Sequence, residues 1–408
     1  MKLLVFVGLI LAIAPVFALG SYEIVKETYA NPFEIDISSM PALNSLPIDD
    51  PNGGIDWVKV KLPSPCVNGL GKETFILVRR GAENNLLIFL EGGGACADYT
   101  TCKPMLCTNI ENCKPLLGIG TVVALESKTW FLNLYYRGGI FDVKNPKNPF
   151  RNWTMVFVPY NTGDIHMGNR VVKYFDSNSS STKTIYHVGF VNGIVAIRYA
   201  LQNNWDRVVV TGSSAGGYGT LLHSYYTWKL FGRPILAIND AGPGIMPSPQ
   251  SQFQMPEVME RWGTIQNFPE GAIPYLNGDP IYAIEFGLND CQQCIYALFE
   301  DQLDLIIGTI FSGYKPCEYQ SRLLRVTNEL QQKFPDRFCR FMPVSIQHTM
   351  ITGGMLYPLQ KDRFYNEEIN GYKIYVWVNE LLKGKCPDLV AKSNLRDFLI
   401  KFFNLQLS

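Results

Sequence analysis

At 408 residues, of which 47% are hydrophobic and 18% charged, the chain can bury a large core and has the composition of an ordinary globular protein. Lysine plus arginine and aspartate plus glutamate each number 36, so the formal net charge is zero, and no basic run breaks that balance locally. A nucleic-acid-binding or anionic-membrane-binding footprint is thereby excluded.

Residues 1–20 read as a signal peptide: Lys2, an apolar run, and the small residues Ala18 and Gly20 suited to cleavage. Pro15 and the shortness of the run favour a cleaved leader over an anchor, leaving no stable membrane span after cleavage. The reading is therefore a secreted protein, tethered to a membrane only if the leader is retained. Residues 21–54 form an N-terminal arm with turns, and 55–408 a single catalytic domain. Ten cysteines fit an exported chain. Disulfides are expected over zinc, because neither the Cys96, Cys102, Cys107, Cys113 cluster nor Cys291-x-x-Cys294 has a histidine nearby in sequence.

Strands are expected over 74–79 and 86–90, the second an almost continuous apolar run suited to a central strand covered on both faces. It ends in Glu91-Gly92-Gly93-Gly94, which lacks the G-K-[ST] of a phosphate cradle. The alternative use is an oxyanion loop, with backbone N–H groups aimed at a reacting carbonyl. Residues 95–150, with their cysteines and the aromatics Trp130, Phe131, Tyr135 and Tyr136, are expected to wall or cover the site. A further strand, 154–158, leads to Asp164 and His166, a pair too thin for a metal site and better suited to bracing a loop.

Apolar residues at helical spacing over 188–201 predict a crossover helix returning to a strand at 207–211. That strand runs into Gly212-Ser213-Ser214-Ala215-Gly216, a G-x-S-x-G turn that lifts the hydroxyl of Ser214 above a sheet, with helix continuing over 218–230. Strands follow at 234–238, at 295–299 (leading to Asp301 and Asp304) and at 341–346 (leading to His348). Residues 245–290 read as irregular, and 371–382 as strand into helix. The alternation of strands and helices predicts an α/β chain with a mostly parallel, doubly wound sheet.

Nucleophilic catalysis by Ser214 needs a base, and the chain has four histidines. His223 lies nine residues along the helix after Ser214, about 13 Å away and on the opposite face. His187 precedes the crossover helix, and His166 precedes the serine. His348 alone follows the serine directly beyond a strand end, in the Ser, Asp, His order of α/β hydrolases. For the acid, Asp240, Asp301 and Asp304 all stand near strand ends, and spacing does not separate them.

LEGGGAC at 90–96, VPYNTGDIHMGN at 158–169, TGSSAGGYG at 211–219 and His348-Thr349 together resemble the pectin acetylesterase family, in order over roughly residues 55–385. The resemblance implies an α/β-hydrolase fold with long disulfide-stapled loops. It implies Ser214 as nucleophile, His348 as base and Asp304 as acid with Asp301 in reserve, and the N–H groups of Gly93, Gly94 and Ala215 as oxyanion donors. Asn161 stands where relatives often have a cysteine, and Gly94-Ala95 replaces an aromatic, which alters the floor of the pocket. No cofactor and no metal is called for. The expected activity is hydrolysis of an ester on an acylated carbohydrate, acetyl first, with a longer lipid-type acyl ester second. The competing readings are a non-catalytic glycan-binding protein on a hydrolase scaffold and, more weakly, a protease.

Overall fold

The computed structural model describes residues 20–102, 137–251, 253–354 and 360–392. Fourteen strands lie within them: β1 Tyr22–Lys26, β2 Val58–Lys61, β3 Phe75–Arg79, β4 Asn85–Leu90, β5 Thr154–Val158, β6 Arg170–Phe175, β7 Thr182–His187, β8 Arg207–Ser213, β9 Leu236–Asp240, β10 Ile295–Phe299, β11 Phe338–Met342, β12 Glu368–Ile369, β13 Tyr372–Lys373 and β14 Leu389–Val390. The principal helices are α1 Gly189–Ala200, α2 Ala215–Phe231, α3 Met255–Arg261, α4 Ala283–Asp290, α5 Pro316–Lys333 and α6 Ile374–Leu382.

Nine strands form one sheet in the order β14-β11-β10-β9-β8-β4-β5-β3-β2. From β14 to β5 neighbours pair in parallel, and only β3 and β2 turn antiparallel at one edge. The continuous apolar run of β4 follows from its central place, since its side chains alternate between two cores. Leu86, Ile88 and Leu90 join Val191, Ile194 and Leu222 of α1 and α2 on one face, while Leu87 and Phe89 join Ile140, Phe141, Trp377 and Val378 on the other. Each such fully buried side chain contributes about 1.5–3 kcal/mol. The sheet is mostly parallel and covered on both faces, as the alternation of elements led us to expect, and is consistent with the α/β-hydrolase fold that the family resemblance implied.

Several boundaries differ from the sequence expectation. The strand placed at 341–346 is β11 at Phe338–Met342, because Arg340 stays in a buried strand by pairing with Asp388 at 2.8 and 2.7 Å and bonding Asn328 at 2.6 Å. Pro343 then stops it. Residues 245–290 are not irregular throughout, since they carry α3 and α4. Within the expected arm, β1 pairs with the β6–β7 hairpin in a separate three-stranded antiparallel sheet. Among the described residues three disulfides join Cys96 to Cys102, Cys291 to Cys294 and Cys339 to Cys386, while Cys66 and Cys317 carry thiols. Cys107, Cys113 and most of the expected wall at 95–150, including Trp130, Phe131, Tyr135 and Tyr136, lie outside the described residues, as does nearly all of the expected leader. Among the described residues no helix is long and apolar enough to cross a membrane.

Candidate active site

The chemistry-bearing residues stand past the C-terminal ends of neighbouring parallel strands: Gly92 to Gly94 after β4, Ser214 after β8, Asp240 closing β9, Asp304 beyond β10 and His348 beyond β11. This end of an open α/β sheet is where ligands bind, because the loops diverge there and the strands fix their roots.

Ser214 is the hinge between β8 and α2, with φ 55° and ψ −116°. A non-glycine residue in such a conformation costs on the order of 1–3 kcal/mol and persists only where its surroundings hold it. They do so here by hydrogen bonds from Ser214 N to the carbonyl of Asp240 at 2.7 Å and from Tyr218 N to the Ser214 carbonyl at 3.0 Å. The small residues around it answer to space. A Cβ on Gly216 would sit 1.9 Å from the Leu90 carbonyl oxygen, and one on Gly92 would sit 2.6 Å from that of Ser213. Glycines at both places let the β4 loop and the turn at Ser214 press together.

His348 donates from Nδ1 to Asp304 Oδ2 at 2.6 Å, and both residues are buried. The other oxygen of Asp304 accepts from Ile306 N and Ile307 N at 2.8 and 2.9 Å, capping a π-helical turn over Leu305–Phe311. The carboxylate is thus fixed at both oxygens, and the imidazole ring is fixed by it. Burial disfavours the imidazolium of His348, yet Asp304, with Asp240 and Asp301 beyond it, outweighs burial and raises its pKa. Its Nε2 is buried with no hydrogen-bond partner. Asp304 and His348 are therefore brought together, while no hydrogen bond joins His348 to Ser214.

Asp301 points elsewhere. It receives Arg363 at 2.6 and 2.8 Å in a buried, bidentate pair. Burial raises its pKa to about 6 despite the guanidinium. Glu300 accepts from Tyr319 Oη at 2.9 Å; burial, reinforced by Asp304, holds its carboxyl well above the usual carboxylate range.

The glycine loop is braced from behind. Glu91 N bonds the Val158 carbonyl at 3.1 Å, Glu91 Oε2 accepts from Tyr160 N at 2.9 Å, and His166 Nε2 donates to the Glu91 carbonyl at 2.8 Å. The ring of Tyr160 lies where a Cβ on Gly93 would be, 2.3 Å away. Among the described residues, none of Gly93, Gly94 and Ala215 donates its N–H to a backbone carbonyl.

With this geometry in place the chain can be set against known proteins. Residues 66–255 match the pectinacetylesterase family. The resemblance read from LEGGGAC and GSSAGG is borne out over that span. In three dimensions the chain is similar to the Wnt deacylase Notum from Drosophila, with a TM-score of 0.55 and 15% identity, covering 83% of this chain and 97% of that one. Comparison with the curated proteins finds no match.

The pectinacetylesterase match includes the GDIHMG segment, whose polar residues are consumed internally. Asp164 accepts from Thr162 Oγ1 at 2.6 Å, Gly189 N at 2.7 Å and Gly168 N at 3.1 Å. The carbonyl of His166 accepts from His223 Nε2 at 2.8 Å, and His187 lies between the Thr162 carbonyl and Tyr174 Oη at 3.0 and 2.8 Å. Burial lowers these histidines to about 3 for His166 and His187 and about 4 for His223, so all three stay neutral. Among the described residues no group of three or more His, Cys, Asp or Glu could hold a metal ion. Sequence reasoning did not assign the hydrogen bonds that Asp240 accepts from Ser213 Oγ, Met350 N and Ile351 N, the pairing of Arg363 with Asp301, or the bond from His166 to Glu91. The GDIHMG motif was the one local signal for the last of these.

Proposed function

We propose that this chain is a secreted serine carboxylesterase acting on acyl esters of carbohydrates, acetyl esters first. The observation that carries the reading is the buried His348–Asp304 pair at 2.6 Å, with an unpartnered Nε2, at the same end of the sheet as the strained Ser214. An orphaned buried nitrogen forgoes about 1–3 kcal/mol, and at His348 it is the nitrogen opposite the one held by Asp304, which leaves it open to take a proton.

In this reading Nε2 of His348 takes the proton of Ser214 Oγ as the oxygen attacks the ester carbonyl. Asp304 holds the imidazole tautomer and steadies the imidazolium. The N–H groups of Ala215, Gly93 and Gly94 receive the oxyanion. The imidazolium then protonates the departing alkoxide, leaving Ser214 acylated. Water, deprotonated by the same nitrogen, attacks the acyl-enzyme and releases the acid, restoring Ser214 and neutral His348.

The pectinacetylesterase match supports acetylated polysaccharide as the substrate class. The likeness to the Wnt deacylase Notum supports a second reading, a longer lipid-type acyl group. The expected leader and the three disulfides support export. Hydrolysis of p-nitrophenyl esters of increasing acyl length, beside acetylated pectin and xylan, separates the two substrate readings. If Ser214→Ala keeps wild-type activity on p-nitrophenyl acetate, the serine mechanism is wrong. Failure of a fluorophosphonate probe to label the wild type, with polysaccharide still bound, would mark a non-catalytic glycan-binding scaffold.

A further inference from the structure

Asp240 closes β9 between the strand that carries Ser214 and the strand that leads to Asp304. It is fully buried, and its carboxylate accepts three hydrogen bonds, from the end of β8 and from the segment after His348. Oδ2 accepts from Ser213 Oγ at 2.7 Å and from Ile351 N at 3.0 Å, and Oδ1 accepts from Met350 N at 2.8 Å. Its own carbonyl takes Ser214 N at 2.7 Å. One residue thus grips the turn carrying Ser214 and the segment immediately after His348. An ionised carboxylate, which only accepts, matches three donors; an asparagine would turn an NH2 group on at least one of them.

The backbone on either side of this grip is strained. Ser214, Ala241 and Thr349 all hold positive φ, at 55°, 57° and 63°. Such conformations need to be over-determined by their surroundings, and Asp240 accepts from Ser214 N, adjoins Ala241 and holds Met350, the residue after Thr349. Its charge also faces His348. The other charged groups around that ring are Asp304, hydrogen-bonded to it, and Asp301 with its partner Arg363, whose Nη1 donates to the Thr349 carbonyl at 3.0 Å; buried Glu300 stands behind Asp304.

We infer that Asp240 is a positioning residue that holds Ser214 and His348 in register by clasping Ser213, Met350 and Ile351, and whose negative charge supports the imidazolium. The inference rests on the Ser214–His348–Asp304 reading. Removing the charge while keeping the size, as in Asp240→Asn, lowers the pKa of His348, so the acid limb of kcat/KM moves to lower pH. The disturbed register lowers kcat on the order of tenfold to a hundredfold while KM changes little. Ser213→Ala removes one arm of the clasp but no charge. It should lower kcat several-fold with KM and the acid limb unchanged.

The experiment is the pH profile of kcat and kcat/KM on p-nitrophenyl acetate for the wild type, Asp240→Asn, Ser213→Ala and Ser214→Ala, with near-UV circular dichroism to check folding. A folded Asp240→Asn enzyme with unshifted acid limb and wild-type kcat overturns the inference. If Asp240→Asn does not fold, Ser213→Ala decides: a fall in kcat at constant KM supports the clasp, and an unchanged kcat with only lowered thermal stability overturns it. An inert Ser214→Ala beside a negative result for Asp240 sinks this inference alone, whereas an active Ser214→Ala sinks the serine mechanism beneath it.

Discussion

Asp304 donates its backbone N–H to the carbonyl of Asp301 at 3.1 Å, yet the two carboxylates leave that turn for different partners, His348 and Arg363. Their substitutions should therefore fail differently. Asp304→Asn keeps the volume but loses the charge and the tautomer control, so kcat should fall on the order of 10³–10⁴-fold in a folded protein, with the remaining acid limb moved to lower pH. Asp301→Asn leaves the buried guanidinium of Arg363 with only Glu367, 3.2 Å from its Nε, as counter-charge, which costs about 3 kcal/mol of stability, while the folded fraction should retain most of its kcat. Denaturant melts and active-site titration on the two variants check this; equal loss of kcat in both would refute the assignment.

The glycines beside Ser214 are demanded by space and not by φ, and this too can be tested. Gly216→Ala would place a Cβ 1.9 Å from the Leu90 carbonyl oxygen, a backbone atom of the central strand that cannot yield. Its expected outcome is loss of soluble folded protein or of all fluorophosphonate labelling. Gly232 ends the same helix with φ 71° and no heavy atom within 4 Å of a built Cβ. Gly232→Ala should cost only about 1 kcal/mol of left-handed strain, read as a small drop in melting temperature with activity intact.

What could be read in the chain and what could not divide along sequence distance. Strands such as β5 and β10 were legible because their apolar runs are short, buried on both faces and closed by polar turns. His348 was reachable as the candidate base because four histidines and the chain order of α/β hydrolases leave few choices. The acid was not separable by spacing, since Asp240, Asp301 and Asp304 all stand near strand ends. What distinguishes them in space is a histidine 44 residues beyond Asp304, an arginine 62 beyond Asp301, and the N–H groups of Met350 and Ile351, 110 and 111 beyond Asp240. The start of β11 was hidden by Arg340, whose partner Asp388 lies 48 residues on. The β6–β7 hairpin was hidden by Lys173, Thr182 and Thr184, which dilute the apolar alternation on its solvent side.

The two thiols should differ sharply in reactivity. Burial pushes the Cys66 thiol up to about 12, leaving about one molecule in ten thousand as thiolate at pH 8, whereas Cys317 is exposed in the first turn of α5. Brief treatment of the native protein with iodoacetamide, followed by peptide mapping, should find Cys317 modified and Cys66 unmodified. Cys66 should react once the protein is unfolded in guanidinium. Modification of Cys66 at a comparable rate in the native protein would contradict its burial.

His223 should contribute a pH-dependent part of the stability. It is fully buried, stacked on Phe190 with ring centroids 6.0 Å apart, and Nε2 donates to the His166 carbonyl, so protonation would put a charge where Nδ1 has no partner. Burial lowers its pKa from 6.5 to about 4. Between those values the unfolded chain binds a proton at this position and the native protein does not. The contribution is thus complete above pH 6.5 and falls by about 1.4 kcal/mol per pH unit as the pH drops towards 4. His223→Gln retains a donor for the His166 carbonyl but does not titrate. Subtracting its unfolding free energy from that of the wild type cancels every other titrating group common to both. That difference should shift by about 2 kcal/mol against the wild type between pH 7 and pH 5. A difference constant over that range would mean that the native state accommodates a charged His223, contrary to its burial.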